Sequence, residues 1–304
     1  MKKAFFKDKK TQDVIFCLLI LAIPMIQFAI FYIGVNITSF AMIFQRYEVD
    51  DVTNRGAYVF NGLNNFKQIF FEVKNDGVFG MALGNSLLAF VMITLVGITF
   101  ALIFSLYIFK KYPGAGFFRV LLFLPSILSA AVTVTIYRYF VDGALPDLFN
   151  MTQGLFGNPS TKLGTIIFYN IWIGFGTQIL MYSGAMNGID PSVTEAAKLD
   201  GANPFVEFFC VILPLIFPTI QTFLVTGVAG IFINQINLVA FEGLGAEGKY
   251  MTIGYYLFKD TQKAGTTQYA YPRLATYGAS LTLIAAPLTL LTRWALDKFG
   301  PSVD

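Results

Sequence analysis

Asn170, Gly174, Thr177 and Gln178 recur at i, i+4, i+7 and i+8. A helix through them carries carboxamides, a hydroxyl and a gap on one face. Thr222, Thr226, Gly230, Asn234 and Asn237 repeat the pattern further along the chain, with Gln235 beside them. These groups donate and accept hydrogen bonds without charge, which suits a neutral polyol. Trp172 could lay its ring on a sugar face. This is chemistry of recognition, not of bond breaking. The 304 residues contain no histidine, which excludes His-based acid/base work, Ser/His/Asp triads and His-ligated metals. Cys17 and Cys210 are too few for a disulfide framework or a Cys-rich zinc site. Small and polar residues are also the adhesive between membrane helices. Both readings stand for Asn170 and Gly174, while helix packing leads for Thr222 and Thr226.

A second constellation lies in residues 190–218, DPSVTEAAKLDGANPFVEFFCVILPLIFP. Asp190 is placed to cap a helix whose first position is Pro191, where a missing N–H costs nothing. The turns from Ser192 to Leu199 should be helical, and Gly201 can supply the left-handed residue that ends them. Asn203-Pro204 repeats the cap-and-proline start. The expected product is a helix, a sharp turn and another helix, with Glu195 beside the small Ala196 and Ala197. That is a knob suited to being gripped by another protein. A helix merely lying on lipid headgroups would be basic, whereas this stretch holds Asp190, Glu195, Asp200 and Glu207 against Lys198.

The elements that position these residues follow from composition. The chain is 56% hydrophobic and 13% charged, against about 25% charged in ordinary soluble domains. So much apolar surface cannot be covered in water, and the chain is an integral membrane protein. Six runs are long enough for spans of roughly 20 residues: 14–44, broken by Pro24, then 83–108, 120–137, 163–186, 211–236 and 274–296. None alternates like a strand, so an all-α polytopic protein with six transmembrane helices is expected. Lys2, Lys3, Lys7, Lys9 and Lys10 precede the first span, and Lys110, Lys111 and Arg119 join the second to the third. Both stretches belong in the cytoplasm by the positive-inside rule, and an even span count puts both termini there. The first apolar run exceeds a signal-peptide core and reads as a retained helix. Segments 45–82 and 237–273 then lie outside.

With these elements in place, a resemblance is plain. Glu195-Ala196-Ala197, Asp200-Gly201-Ala202 and Ile212-Leu213-Pro214 resemble the EAA signature of type I binding-protein-dependent ABC importer permeases. Trp172-Ile173-Gly174-Phe175-Gly176, the Gly62–Lys67 run GLNNFK, Asn85, and Tyr269 to Tyr277 are similar to its carbohydrate branch. The resemblance implies a six-helix permease domain at 14–298, with cytoplasmic segments at 1–13 and 299–304. It makes 187–210 the coupling loop that docks on a cytoplasmic ABC ATPase dimer. Glu195 would pair with a basic group there, Ala196 and Ala197 would pack closely beside Asp200, Gly201 would turn the chain, and Pro214 would end the loop. It also implies that Asn170, Ile173, Gly174 and Thr177 line a sugar pathway, although maltose permeases carry an aromatic hydroxyl where this chain has Thr177. Trp172, Asn234 and Gln235 complete the candidate pathway. The implied partners are a second, different permease, a solute-binding protein outside, membrane lipid and a carbohydrate, with no nucleic acid. The implied location is the bacterial cytoplasmic membrane.

The chain has no G-x-x-x-x-G-K-[ST] loop, so ATP and Mg belong to the partner ATPase and no cofactor is expected here. An ion-coupled carrier of a small polar solute is the alternative. Such carriers bury ionisable groups at the membrane midplane, whereas Arg119, Arg138, Arg273 and Arg293 all lie near span ends. A membrane-embedded enzyme would need a cluster of reactive groups at one depth, and none occurs.

Overall fold

The computed structural model describes residues 9–49, 55–265 and 267–301. Lys2, Lys3 and Lys7 lie outside the described residues, as do the last three residues of the 299–304 tail. The described chain divides into two compact units. One holds the residues up to Glu72 with Ala264–Ser280, and the other holds Val73–Lys263 with the residues from Leu281 onward.

Four helices are long and apolar enough to cross a membrane: α1 (Gln12–Ile43), Gly77–Phe109, Lys162–Asn187 and Ala270–Phe299. Counting each of two bent pairs as one span brings the total among the described residues to six, in keeping with the expected all-α membrane fold. Pro24 does not break α1, contrary to expectation. The helix runs on through it, and the wide turns at Phe28–Gly34 take up the disturbance. Asn36 and Thr38 donate to the Tyr32 and Gly34 carbonyls, so no polar side chain is stranded there.

The segment after α1 is not all helix or loop. Its hairpin pairs β1 (Gln45–Val49) with β2 (Gly56–Phe60), antiparallel, with Gln45 opposite Phe60. An amphipathic helix, α2 (Asn64–Asn75), follows. The Asn65 carboxamide donates to the Ile43 and Gln45 carbonyls, fixing α2 to the end of α1. Sequence periodicity missed the hairpin because its strands bury neither face.

In the larger unit, α3 (Gly77–Phe109) is followed by a bent pair, α4 (Ala115–Ile127) and α5 (Ala130–Phe149), which meet at 110°. The single straight span expected at 120–137 is therefore two helices. Pro125 sits inside the last turn of α4, and Leu128 and Ser129 adopt extended backbone. After α6 (Lys162–Asn187) and α7 (Pro191–Leu199), α8 (Pro204–Leu215) and α9 (Phe217–Ala229) meet at 66°. Here too the expected continuous helix, 211–236, is corrected. It bends ahead of Pro218 and ends at Ala229. Asn234 and Asn237 thus lie beyond the helical stripe of Thr222 and Thr226. Short α10 (Leu238–Glu242), α11 (Ile253–Ala264) and the long α12 (Ala270–Phe299) complete the chain.

The core of this unit is a set of matched stripes. Ile98, Ala101 and Ile108 of α3 meet Ile179, Tyr182 and Met186 of α6 and Phe208, Ile212, Ile216 and Ile220 of the α8–α9 region. The spacings of three, four and seven keep each set on one helical face. Apolar transfer drives little association in lipid, so close approach matters more. A Cβ on Gly176 would come within 2.6 Å of the Leu122 carbonyl, which shows how tightly α6 passes α4. The Ser105 hydroxyl donates to Ile179 O at 3.1 Å. Buried ties of this kind contribute about 0.6 kcal/mol in membranes.

Candidate functional site

The helices of the larger unit enclose a cavity of about 230 Å³. Helix α3 supplies one wall with Ser86, Phe90, Ile93, Thr94 and Ile98. Helix α9 supplies the opposite wall with Phe223, Thr226 and Gly227, and the chain beyond it adds Gly230, Asn234 and Ile236. Gln178 of α6 and Thr252 close the ends. The walls come close at Gly227, where a Cβ would meet a Phe90 ring carbon at 3.2 Å and the Thr94 hydroxyl at 3.3 Å.

The stretch from Lys249 to Ile253 is tied down around this space. The Asn85 carboxamide donates to the Lys249 and Met251 carbonyls at 2.9 and 2.8 Å, which places Thr252. The Thr252 hydroxyl donates to Asn234 O at 2.7 Å, and the Ile253 amide donates to the Ser86 hydroxyl at 2.9 Å. Gln178 Oε1 is different: it is buried and has no hydrogen-bond partner among the described residues. A buried acceptor left unpaired costs about 1–3 kcal/mol. The lining has hydroxyls and carboxamides and no charged side chain. It can offer hydrogen bonds to a neutral polar molecule and has no ionisable side chain with which to carry a proton.

The other predicted pathway residues divide. Asn234 lines the cavity, but Asn170, Trp172, Ile173, Gly174, Thr177 and Gln235 do not. Asn170 instead donates to Ile236 O at 2.9 Å and accepts from the Asn237 carboxamide at 2.7 Å. Trp172 stacks on Tyr137 with ring centroids 6.1 Å apart and meets Tyr169 edge-on. Gly174 opens onto space, with nothing within 4 Å of an added Cβ. Thr177 is exposed, whereas Ile173 and Gln235 are half-buried. Gln178 shares the polar stripe of Asn170, but only the packing of α3 and α9 against α6 shows that it alone of that stripe reaches the cavity.

The predicted knob forms as its residues dictate. Asp190 caps α7, accepting from the Ser192 amide at 2.9 Å, and that bond holds its carboxyl below the usual carboxylate range. Gly201 takes φ +83°, and the Ala202 amide returns to Ala197 O at 2.9 Å, closing the helix end. Glu195, Ala196 and Asp200 are exposed, Ala197 is half-buried, and Pro214 is half-buried near the end of α8. Sequence reasoning missed two apolar members of this surface, Leu199 at 89% exposure and Phe205 at 77%. It also missed a partly buried ion pair at the foot of the knob, Lys110 Nζ to Glu207 Oε1 at 2.5 Å.

No family model matches the chain. Its backbone superposes with a TM-score of 0.74 on a chain of a bacterial ABC transporter involved in the import of the acidic polysaccharide alginate, covering 98% of this chain and 100% of that one at 19% identity. The fold is that of an ABC importer permease. A further structure of a bacterial alginate ABC transporter, in complex with an alginate pentasaccharide-bound periplasmic protein, gives the same TM-score at 18% identity. Sequence relatives of this permease fold agree. The maltose/maltodextrin transport system permease protein MalF of Salmonella typhimurium is 26% identical over 219 residues, which cover 68% of this chain and 42% of that protein. This chain therefore spans less than half the length of that relative. The lactose transport system permease protein LacF of Rhizobium radiobacter is 27% identical over 257 residues, 80% of this chain and 83% of that protein. The multiple sugar-binding transport system permease protein MsmF of Streptococcus mutans is 24% identical, covering 70% and 73%.

Proposed function

We propose that this chain is the transmembrane permease subunit of an ATP-driven importer and forms the translocation pathway for a carbohydrate, an oligosaccharide, delivered by an extracytoplasmic binding protein. The observation that carries this reading is the cavity between α3, α6 and α9, lined by uncharged hydrogen-bonding groups around the unpaired Gln178 oxygen. Its volume of about 230 Å³ falls below the roughly 300–1,000 Å³ of complete small-molecule sites. Half a pathway has that size when a second permease, a different chain, supplies the other wall. Maltose, lactose and multiple-sugar permeases among the relatives support the substrate class.

The exposed knob within 187–210 is the coupling surface. Glu195 offers charge and Leu199 and Phe205 offer apolar contact to a cytoplasmic ABC ATPase dimer, which holds ATP and Mg and performs the hydrolysis. Both termini then face the cytoplasm, and the membrane is the bacterial cytoplasmic one. The chain itself does no catalysis. An ion-coupled carrier is disfavoured because no ionisable group lines the cavity.

Vesicles holding the reconstituted importer test the reading, with labelled maltose, lactose and short maltodextrins as the panel. Uptake of at least one sugar should require ATP and the binding protein. Uptake driven by an imposed proton or sodium gradient without ATP would return the chain to the ion-coupled class.

A further inference from the structure

Glu207 and Lys110 stand where one membrane helix begins and another ends. Asn203 opens α8 by accepting from the Phe205 and Val206 amides at 3.0 and 2.9 Å, and Glu207 follows within a turn. Lys110 closes α3, its amide donating to Leu106 O at 2.9 Å before Lys111 turns to φ +54°. A carboxylate near a helix N-terminus and an ammonium at a C-terminus each complement the helix dipole. Here they also complement each other across 97 residues of sequence. The Glu207 side chain is 3% exposed and that of Lys110 19%. Arg46 and Glu48, by contrast, pair in the open at 57% and 44%.

Stability alone is a poor account of such a pair. Desolvation offsets most of the attraction between buried charges, and well-packed apolar replacements are often neutral. What the pair fixes is geometry. The chain leaving the knob is pinned to the end of α3, whose Phe90, Thr94 and Ile98 wall the cavity. Directly beyond the pin, Phe208 and Ile212 share one apolar cluster with Ala101 and Ile108. A charged pin above an apolar seam makes the start of α8 and the end of α3 a single body.

We infer that Lys110–Glu207 is a strut that carries displacement of α7 into the cavity wall formed by α3. The inference rests on the importer reading, and both residues are positioning residues because neither reaches the cavity. Without the strut, α8 can tilt while α3 stays behind, so ATP is hydrolysed without moving the wall.

The test uses the assembled importer in vesicles, with ATP hydrolysis and uptake of the sugar that the wild type accepts measured on the same preparation. Glu207→Gln and Lys110→Met should each retain hydrolysis and lower sugar moved per ATP about tenfold, within the range of couplings between distant sites. Each leaves one charge buried and can fail to assemble. Lys110→Cys with Glu207→Cys removes both charges, in a background where Cys17 and Cys210 are changed to Ser. Its ratio should be low as prepared and recover when a short bifunctional thiol reagent bridges the two positions. A purely structural role would alter complex yield and leave the ratio alone. A ratio that neither loss nor bridge changes, or a bridge that blocks uptake, overturns the strut. If the wild type imports and the variants keep its ratio, the strut fails while the importer reading stands.

Discussion

Asn237 donates its carboxamide to Asn170 Oδ1 at 2.7 Å, and the Asn170 carboxamide donates onward to Ile236 O at 2.9 Å. This exchange ties α6 to the chain beyond α9, at the point where Ile236 and Asn237 adopt φ +46° and +57°. Asn tolerates that left-handed region, but a β-branched residue there is strained. The Asn234 carboxamide oxygen, which accepts from the Ile236 amide at 2.8 Å, helps hold the same turn. Ile236 is fully buried and lines the cavity, so the tie shapes a wall of the site.

Asn170→Ala should therefore act on stability. It unpairs the Ile236 carbonyl and the Asn237 side-chain carboxamide beside a strained turn, a loss of about 1–3 kcal/mol. The melting temperature of the complex in detergent should fall, and uptake per folded complex should change less. An unchanged melting temperature with uptake lost would assign Asn170 to the solute instead.

Glu72 gives a pH dependence with a definite sign. Partial burial would by itself raise its carboxyl, but hydrogen bonds from Arg273 Nε at 3.0 Å, Gln68 at 2.9 Å and the Tyr277 hydroxyl at 3.0 Å outweigh it and hold the group below its ordinary range. A carboxyl depressed on folding contributes stability that is present above its unfolded value and lost as pH falls through the folded one. Acidification from roughly pH 6 to roughly pH 3 should lower the melting temperature of the wild type more than that of Glu72→Gln. Parallel curves would show that the network is not linked to folding.

The knob makes a third prediction. Glu195→Lys and Leu199→Asp change exposed side chains that the fold does not need, so membrane insertion should survive. Substrate-stimulated ATP hydrolysis should be lost. Gly201→Val forces a β-branched residue to φ +83°, which costs about 1–2 kcal/mol by backbone strain, and should weaken coupling by misaiming the turn. Wild-type hydrolysis in all three variants would move the ATPase contact elsewhere.

How much of this was legible in the sequence depended on how local the cause was. Asp190, Pro191, Gly201, Asn203 and Pro204 act within a turn of themselves, so the knob could be read residue by residue. The straight spans followed from length and hydropathy. The bends at Leu128–Ser129 and Ile216 did not, because a proline in a membrane helix is tolerated at Pro24 and Pro287 and marks a break near Pro125 and Pro218. The cavity was the least legible feature. Gln178 and Thr226 sit on polar stripes, but which residues of a stripe face a void depends on how α3 and α9 cross α6, and no spacing within one helix encodes that.

Gln178 separates a solute site from a packing site most cleanly. Its carboxamide oxygen is buried against the cavity with no partner among the described residues. A residue kept for helix packing would be expected to use that oxygen, as Asn170 uses its own. Replacing it with Leu removes an unsatisfied acceptor worth about 1–3 kcal/mol and keeps most of the volume. Gln178→Leu should thus leave the melting temperature of the complex unchanged or raise it. If the oxygen is reserved for a hydroxyl of the passing sugar, uptake should still fall, by about 2- to 13-fold for one neutral hydrogen bond of 0.5–1.5 kcal/mol. Thr226→Val, which removes a lining hydroxyl from α9, should likewise lower uptake. Melting temperature and uptake per complex, measured together, decide the point: stability gained with transport intact would mean that the cavity is a packing defect and that the solute passes elsewhere.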